Sequence, residues 1–357
     1  MTGEMMTAVT TEEDELYNWL HARLHDVLPE FELREKTRLA VEINRLKRSM
    51  NAAILCHNYM EPVLYHSIAD FKGDSLELAR AAAKSDAEII VFCGVRFMAE
   101  TAKILKPKAT VLLPALEAGC SLADGITAAD VRALKTRYPG VPVVTYVNSY
   151  ADVKAESDIC CTSGNAAAVV ESLKTDTVIF LPDEYLAKNV ARETGRNVIF
   201  PGPASSRDST ADEAGPRGHM VGWHASCEVH EKFTVEDVAA VRKQFPDVSV
   251  LAHPECRPEG TAVCDFTGST AAMIRYIERS SAPRYLLLTE CSMGDNVAAS
   301  HPDKQMLRLC SVRCPHMNSI TLENTLEALR RRQHVIDVPE EIAARARRAV
   351  ERMLAIG

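Results

Sequence analysis

One α/β pattern occurs three times along this 357-residue chain, and that repetition limits what the chain can fold into. Three apolar, β-rich runs end in polar pairs two residues apart: AILCHNY in His57 and Tyr59, VPVVTYVN in Tyr146 and Asn148, VSVLAHPE in His253 and Glu255. Each reads as a buried strand leading into a loop. From the first member of each pair, 18, 17 and 17 residues lead to Ser75, Ser163 and Thr270, each opening a small-residue helical pattern. A further 17 residues on, a second apolar strand is reached at Phe92, Phe180 and Leu287.

Each copy ends in a cysteine: Cys120, Cys227 or Cys314. Seven residues after each comes Thr127, Thr234 or Thr321, followed three residues later by Asp130, Asp237 or Asn324. That is a variant of the capping box that opens a helix. The first two cysteines both stand 26 residues before the next strand-end anchor. From anchor to cysteine the distance is 63, 81 and 61 residues, so the middle copy carries about 18 extra residues. PASSRDSTADEAGPRGH, rich in Pro, Gly, Ser and charge, is the expected surface insertion, at about 203–219.

Strand–helix alternation with strand-length apolar runs predicts an α/β protein with parallel sheets and helices on both faces. We expect three similar three-layer αβα domains around a pseudo-threefold axis. The expected divisions are an N-terminal extension over 1–30, repeats over 31–118, 119–225 and 226–320, and C-terminal helices over 321–357. Ligands in such sheets bind at the C-terminal strand ends. Members of a pair two apart point the same way if strand geometry persists, so the three pairs would line one central pocket. Ser75, Ser163 and Thr270 would add helix N-termini that favour phosphate or carboxylate.

The N-terminal segment has an acidic patch and no basic start before an apolar run, which argues against a signal peptide, and no apolar stretch reaches membrane-spanning length. A cytoplasmic location is the default. A net charge of −8 argues against nucleic-acid binding. Eleven cysteines without an export signal point to metal ligation rather than disulfides. Cys56, Cys93 and Cys264 lie in or beside apolar runs and read as packed small hydrophobes. Cys160, Cys161, Cys256 and Cys291 lie near the site loops at no repeat-equivalent position. Cys310 is a spare ligand or redox partner beside the in-register Cys314. Three in-register thiolates can hold an iron–sulfur cluster with one iron open, or contribute to a structural zinc site.

The chain resembles the quinolinate synthase A family from about Ala53 to about Leu329. The blocks that carry the likeness are HNY, GDSLELAR, GVRFMAETAKIL, EAGCSLAD, TYVNS, VKAESD, CTSGNA, CEVH, HPEC, DFTGST, TECSMGDN and CPHM. The resemblance implies condensation of iminosuccinate (iminoaspartate) with dihydroxyacetone phosphate to quinolinate, phosphate and water. It implies a [4Fe–4S] cluster on Cys120, Cys227 and Cys314 whose open iron acts as a Lewis acid. It further implies substrate binding by His57, Ser75, Tyr146, Asn148, Ser163, His253, Glu255 and Thr270, with Tyr59, Glu255 and His253 in proton transfer. Transient contact with an imine-supplying aspartate oxidase or dehydrogenase also follows. Glu255, beside a cluster and bound anions, is expected to have a raised pKa. Some family members carry a denser cysteine run before the Cys-Pro ligand, whereas Cys310 and Cys314 are separated by three residues. The alternatives are a diphthamide-synthesis-type iron–sulfur enzyme acting on S-adenosylmethionine and a non-enzymatic zinc-binding protein.

Overall fold

The computed structural model describes residues 3–201, 218–307 and 312–356, with the backbone alone over 3–11. It contains three parallel sheets among helices. In the first, β1 (Ala52–His57), β2 (Phe71–Gly73), β3 (Ile89–Cys93) and β4 (Thr110–Leu112) lie in the order β2-β1-β3-β4. The second holds β5 (Val143–Tyr146), β6 (Ile159–Cys161), β7 (Thr177–Leu181), β8 (Asn197–Ile199) and β9 (His219–Val221), ordered β6-β5-β7-β9-β8. The third orders β10 (Val248–Ala252), β11 (Phe266–Thr267), β12 (Arg284–Leu288) and β13 (Gln305–Leu307) as β11-β10-β12-β13. Three α/β units of one topology result, as the repeats require.

The register is the same in all three. Two residues before each strand-end anchor, Leu55 pairs with Phe92, Val144 with Phe180 and Leu251 with Leu287. An aspartate device at the strand entry recurs too. The backbone N–H groups of Ile54, Val143 and Val250 donate to the carboxylates of Asp70, Asp158 and Asp265 at 2.8, 2.8 and 2.7 Å. In return the aspartate N–H groups donate to the carbonyls of the same residues. This reciprocal pair ties the entry of the outer strand to the central one, using groups the ladder leaves free. Inner strands β3, β5 and β10 are buried throughout, as sheets covered on both faces demand.

Thr127, Thr234 and Thr321 each form a complete capping box with Asp130, Asp237 and Asn324, opening Ala128–Arg137, Val235–Gln244 and Leu322–Arg331. The first of these helices packs in the second unit and the second on β10, while the third returns to β3 of the first unit. Each cysteine therefore leads into the next unit around the ring, and the last leads back to the first. Helix Glu340–Leu354 packs on Ala151–Ala155, β6 and Arg96–Leu105, bridging the first and second units. Helix Glu30–Ser49 packs on Leu322–Arg331 and β1.

The middle-copy insertion is less simple than a surface loop at 203–219. Its His219 end belongs to β9, the counterpart of β4 and β13, and part of the extra length forms β8, a fifth strand on the sheet edge. Residues 202–217 lie outside the described residues, as does Cys310. Cys56, Cys93, Cys160, Cys161 and Cys256 are buried, and Cys264 is only partly covered. Among the described residues, no helix is long and apolar enough to cross a membrane.

The three boxes predict matched losses. Thr127→Ala and Thr234→Ala should each cost about 1 kcal/mol through the lost cap, read as a fall of about 1–2 °C in the thermal midpoint of the full chain.

Candidate active site at the centre of three sheets

β1, β5 and β10 end toward a single cavity that takes in about 700 Å³ of space between atoms, part of it open to solvent. All the residues expected at the site line it: His57, Tyr59, Ser75, Tyr146, Asn148, Ser163, His253, Glu255 and Thr270, together with Cys120, Cys227 and Cys314. No lysine or arginine is among its described lining residues.

Strand geometry does not carry the polar pairs. β1, β5 and β10 end at His57, Tyr146 and Ala252, so the second member of each pair lies in the turn beyond. A different link joins the pairs. The Tyr59 N–H donates to His57 Nδ1 (3.2 Å), and the Glu255 N–H donates to His253 Nδ1 (3.4 Å). With Nδ1 used as an acceptor, each neutral imidazole carries its proton on Nε2. His253 Nε2 accordingly donates to Ser163 Oγ at 3.1 Å. Burial pushes His57 down to about 4 and His253 to about 3, so both rings are neutral at pH 7.

The helix-start hydroxyls are not caps. Asp74 and Ser269 cap the helices opened by Ser75 and Thr270, and Ser163 lies in a turn three residues before helix Ala166–Ser172. Thr162 and Asn165 hold that turn through the bond from Thr162 N–H to Asn165 Oδ1 (2.8 Å). Asn165 Nδ2 in turn donates to the Met353 carbonyl of the C-terminal helix at 3.3 Å.

Cys120 and Cys314 stand at the N-caps of short helices, and Cys227 stands three residues before the 3₁₀ turn His230–Lys232. Each sulfur receives backbone N–H bonds from the residues two and three further on: Leu122 and Ala123, Val229 and His230, His316 and Met317. Those donors favour thiolate, but burial dominates. It pushes Cys120 up to about 12, Cys314 to about 11 and Cys227 well above the ordinary thiol range. Without a cation the thiols keep their protons at pH 7.

Glu255 departs from the expected raised pKa. Burial does work to raise it, but His230, His253 and the Tyr146 hydroxyl prevail and hold the carboxyl well below its usual range. The Tyr146 hydroxyl donates to Oε1 at 2.5 Å, Asn148 Nδ2 at 3.2 Å, and His230 Nδ1 lies 2.7 Å from Oε2. His230, not singled out in the sequence, is the hub of the site. Its Nδ1 also lies 3.2 Å from Cys227 Sγ, and its Nε2 is 3.3 Å from the Tyr59 hydroxyl and 2.9 Å from Thr289 Oγ1. Its position three residues after Cys227 was the available signal. Donor atoms of Cys227, His230 and Glu255 all lie within 4.8 Å of one another, close enough to hold a metal ion.

Glu290 was also missed. It stands three residues beyond Leu287, as Val95 and Asp183 stand beyond Phe92 and Phe180, and all three occupy helix N-caps. Burial raises Glu290 to about 7 despite N–H bonds from Ser292 and Cys314 and the nearby Arg313.

The neutral histidines predict a pH dependence. Below about pH 6.5 the unfolded chain takes up protons that folded His57 and His253 refuse, so their contribution to stability is full above that pH. It is lost as pH falls toward the folded value of about 4 for His57. Denaturant midpoints of the metal-free chain should therefore drop between pH 7 and 5. The drop should be shallower in His253→Gln by about one proton's worth of slope.

The family model of the Quinolinate synthetase A protein matches residues 41–355. Quinolinate synthase 2 of Mesorhizobium japonicum is 55% identical over 311 residues, which is 87% of this chain and 89% of that protein. Quinolinate synthase 1 of the same organism is 51% identical over 349 residues, 98% of this chain and 99% of its own. The quinolinate synthase of Xylella fastidiosa is 52% identical over 314 residues, 88% and 86% of the two chains. With a repeated α/β framework, a shared central cavity and relatives of this similarity along nearly its whole length, the chain belongs to the quinolinate synthase family of NAD biosynthesis.

Proposed function

We propose that this chain condenses iminosuccinate with dihydroxyacetone phosphate to quinolinate, phosphate and water in the central cavity. Cys120, Cys227 and Cys314 would hold a [4Fe–4S] cluster there. The observation that carries the reading is threefold: one cysteine per unit reaches the same cavity, each with two backbone N–H groups on its sulfur. Soft thiolates with N–H donors are the surroundings such clusters take. When bound, a cluster with three protein ligands supplies an open iron that can polarise a leaving oxygen.

The chain's own groups supply proton transfer and orientation. His230 Nδ1–H donates to the ionised Glu255, which leaves Nε2 as an acceptor facing the Tyr59 hydroxyl. Burial raises Tyr59 well above the ordinary phenol range, so its hydroxyl rests protonated, and Thr289 Oγ1, 2.5 Å from it and 2.9 Å from His230 Nε2, links it to His230 for proton exchange. Condensation, isomerisation and dehydration each move a proton at a carbon beside C=O or C=N. Tyr59 lines the cavity and can serve there as acid, then as base. Ser75, Ser163, Thr270 and Asn148 offer polar groups for the substrate's anionic oxygens, in a lining with no lysine or arginine among its described residues.

The grouping of Cys227, His230 and Glu255 favours one second reading, a mononuclear metal site. Metal analysis separates the two. Anaerobically purified chain should hold about four irons and four sulfides, and Cys120→Ala, Cys227→Ala or Cys314→Ala should abolish both chromophore and turnover while Cys93→Ala keeps them. A single metal without sulfide sinks the cluster. Glu255→Gln should retain the iron yet lose turnover by about a hundredfold or more; loss of the metal in that variant would instead favour the mononuclear site.

A further inference from the structure

Asn58 lies between His57 and Tyr59, yet it does not line the central cavity, and only 2% of its surface is exposed. Its polar groups are committed on every side. The backbone N–H donates to the Gly73 carbonyl (3.1 Å), and the carbonyl accepts from Asn296 Nδ2 (3.1 Å). Asn296 Nδ2 also donates to the Met60 carbonyl (2.9 Å), so it grips the whole turn that presents Tyr59. On the side chain, Oδ1 accepts from the Tyr65 hydroxyl at 3.1 Å, which turns the amide nitrogen toward the third unit, where Nδ2 donates to Thr270 Oγ1 at 2.9 Å. Burial raises the Tyr65 hydroxyl, so it stays protonated and remains a donor.

A threonine hydroxyl has one hydrogen and two lone pairs. Asn58 fills a lone pair, and Thr270 is spared from capping its own helix because Ser269 does so. The hydrogen is left for the cavity. In the second unit Ser163 is held the same way, as acceptor from His253 Nε2. Different side chains thus impose one polarity on hydroxyls at equivalent positions.

We propose that Asn58 is a positioning residue: clamped by Tyr65 and Asn296, its amide N–H turns Thr270 into a hydrogen-bond donor aimed at an anionic oxygen of the substrate, carboxylate or phosphate. This rests on the substrate reading given above. In Asn58→Asp an acceptor replaces the donor. Thr270 then spends its hydrogen on the introduced carboxylate and presents a lone pair to the anion.

The test is calorimetric binding to the iron-loaded full chain, with pyridine-2,3-dicarboxylate as the carboxylate probe and dihydroxyacetone phosphate as the phosphate probe. Asn58→Asp should weaken one of them by about tenfold or more, matching Thr270→Ala, and the double variant should bind as Thr270→Ala alone does. The probe that weakens names the anion that Thr270 meets. Tyr65→Phe, which frees the amide to turn, should lose about threefold for the same probe. Iron content and thermal midpoint near wild type separate positioning from misfolding. Unchanged affinity in Asn58→Asp, or an Asn58→Asp loss that persists without the Thr270 hydroxyl, overturns the proposal. Should Asn58→Asp not fold, unchanged affinity in Tyr65→Phe does the same. A wild-type chain that binds neither probe overturns the substrate reading itself, and the proposal with it.

Discussion

The parallel hydrogen-bond ladder of each sheet sets everything else. β1, β5 and β10 each lie between two parallel neighbours, so their backbone groups are spent and their ends are fixed. A slip of one residue in Leu55↔Phe92, Val144↔Phe180 or Leu251↔Leu287 would turn every side chain on the strand to the other face. His57, Tyr146 and His253 would then leave the cavity. On the other side of each central strand, the reciprocal bonds of Asp70, Asp158 and Asp265 fix the register of β2, β6 and β11, because each accepts from the one backbone N–H that the correct register brings opposite it.

With geometry fixed by ladders, the chemistry of the cavity is set by what burial does to its ionisable groups. The three thiols are driven toward their protonated forms and the two imidazoles, His57 and His253, toward neutrality. Glu255 is instead held ionised, by His230, His253 and Tyr146 acting against its desolvation. A buried carboxylate beside buried thiols is an arrangement that exchanges protons for a metal, since cation binding relieves the cost of thiolate formation. It also explains why donors rather than basic side chains face the cavity. A lysine there would pair with Glu255 or compete for the thiolates, whereas hydroxyls and imidazole N–H groups can bind an anion without neutralising either.

Much of this was legible in the sequence, because the repeat made each offset checkable three times. The anchors, the second strands at Phe92, Phe180 and Leu287, and the capping boxes after Cys120, Cys227 and Cys314 follow from local periodicity and helix-start chemistry. What escaped depends on contacts between units or on burial. His230 has no counterpart in the other copies, and its hub position arises only when Tyr59 of the first unit and Glu255 of the third come to meet it. The depressed pKa of Glu255 reflects three partners from different segments, which spacing cannot supply. β8 is a short segment with half-buried side chains, too weak in pattern to separate from the loop that follows. Asp70, Asp158 and Asp265 stand 13, 12 and 12 residues after their anchors and could have been read from the alignment of the copies.

The displacement of the helix caps by one residue shows how the fold keeps binding and stability apart. A capping side chain accepts N–H bonds from its own helix, as Asp74 does from Leu76 and Glu77 and Ser269 from Ala272. Were the same oxygen asked to hold a substrate, each ligand would be bound against the cost of loosening a helix start, typically about 1 kcal/mol. Placing Ser75 and Thr270 one position inside the cap removes that conflict and leaves their hydroxyls to be oriented from outside, as Asn58 orients Thr270. Ser163 reaches the same condition by another route, in a turn held by Thr162 and Asn165 and supported by His253. Three hydroxyls free of capping duty at one cavity are more than helix capping alone requires, and that surplus supports the proposed binding role.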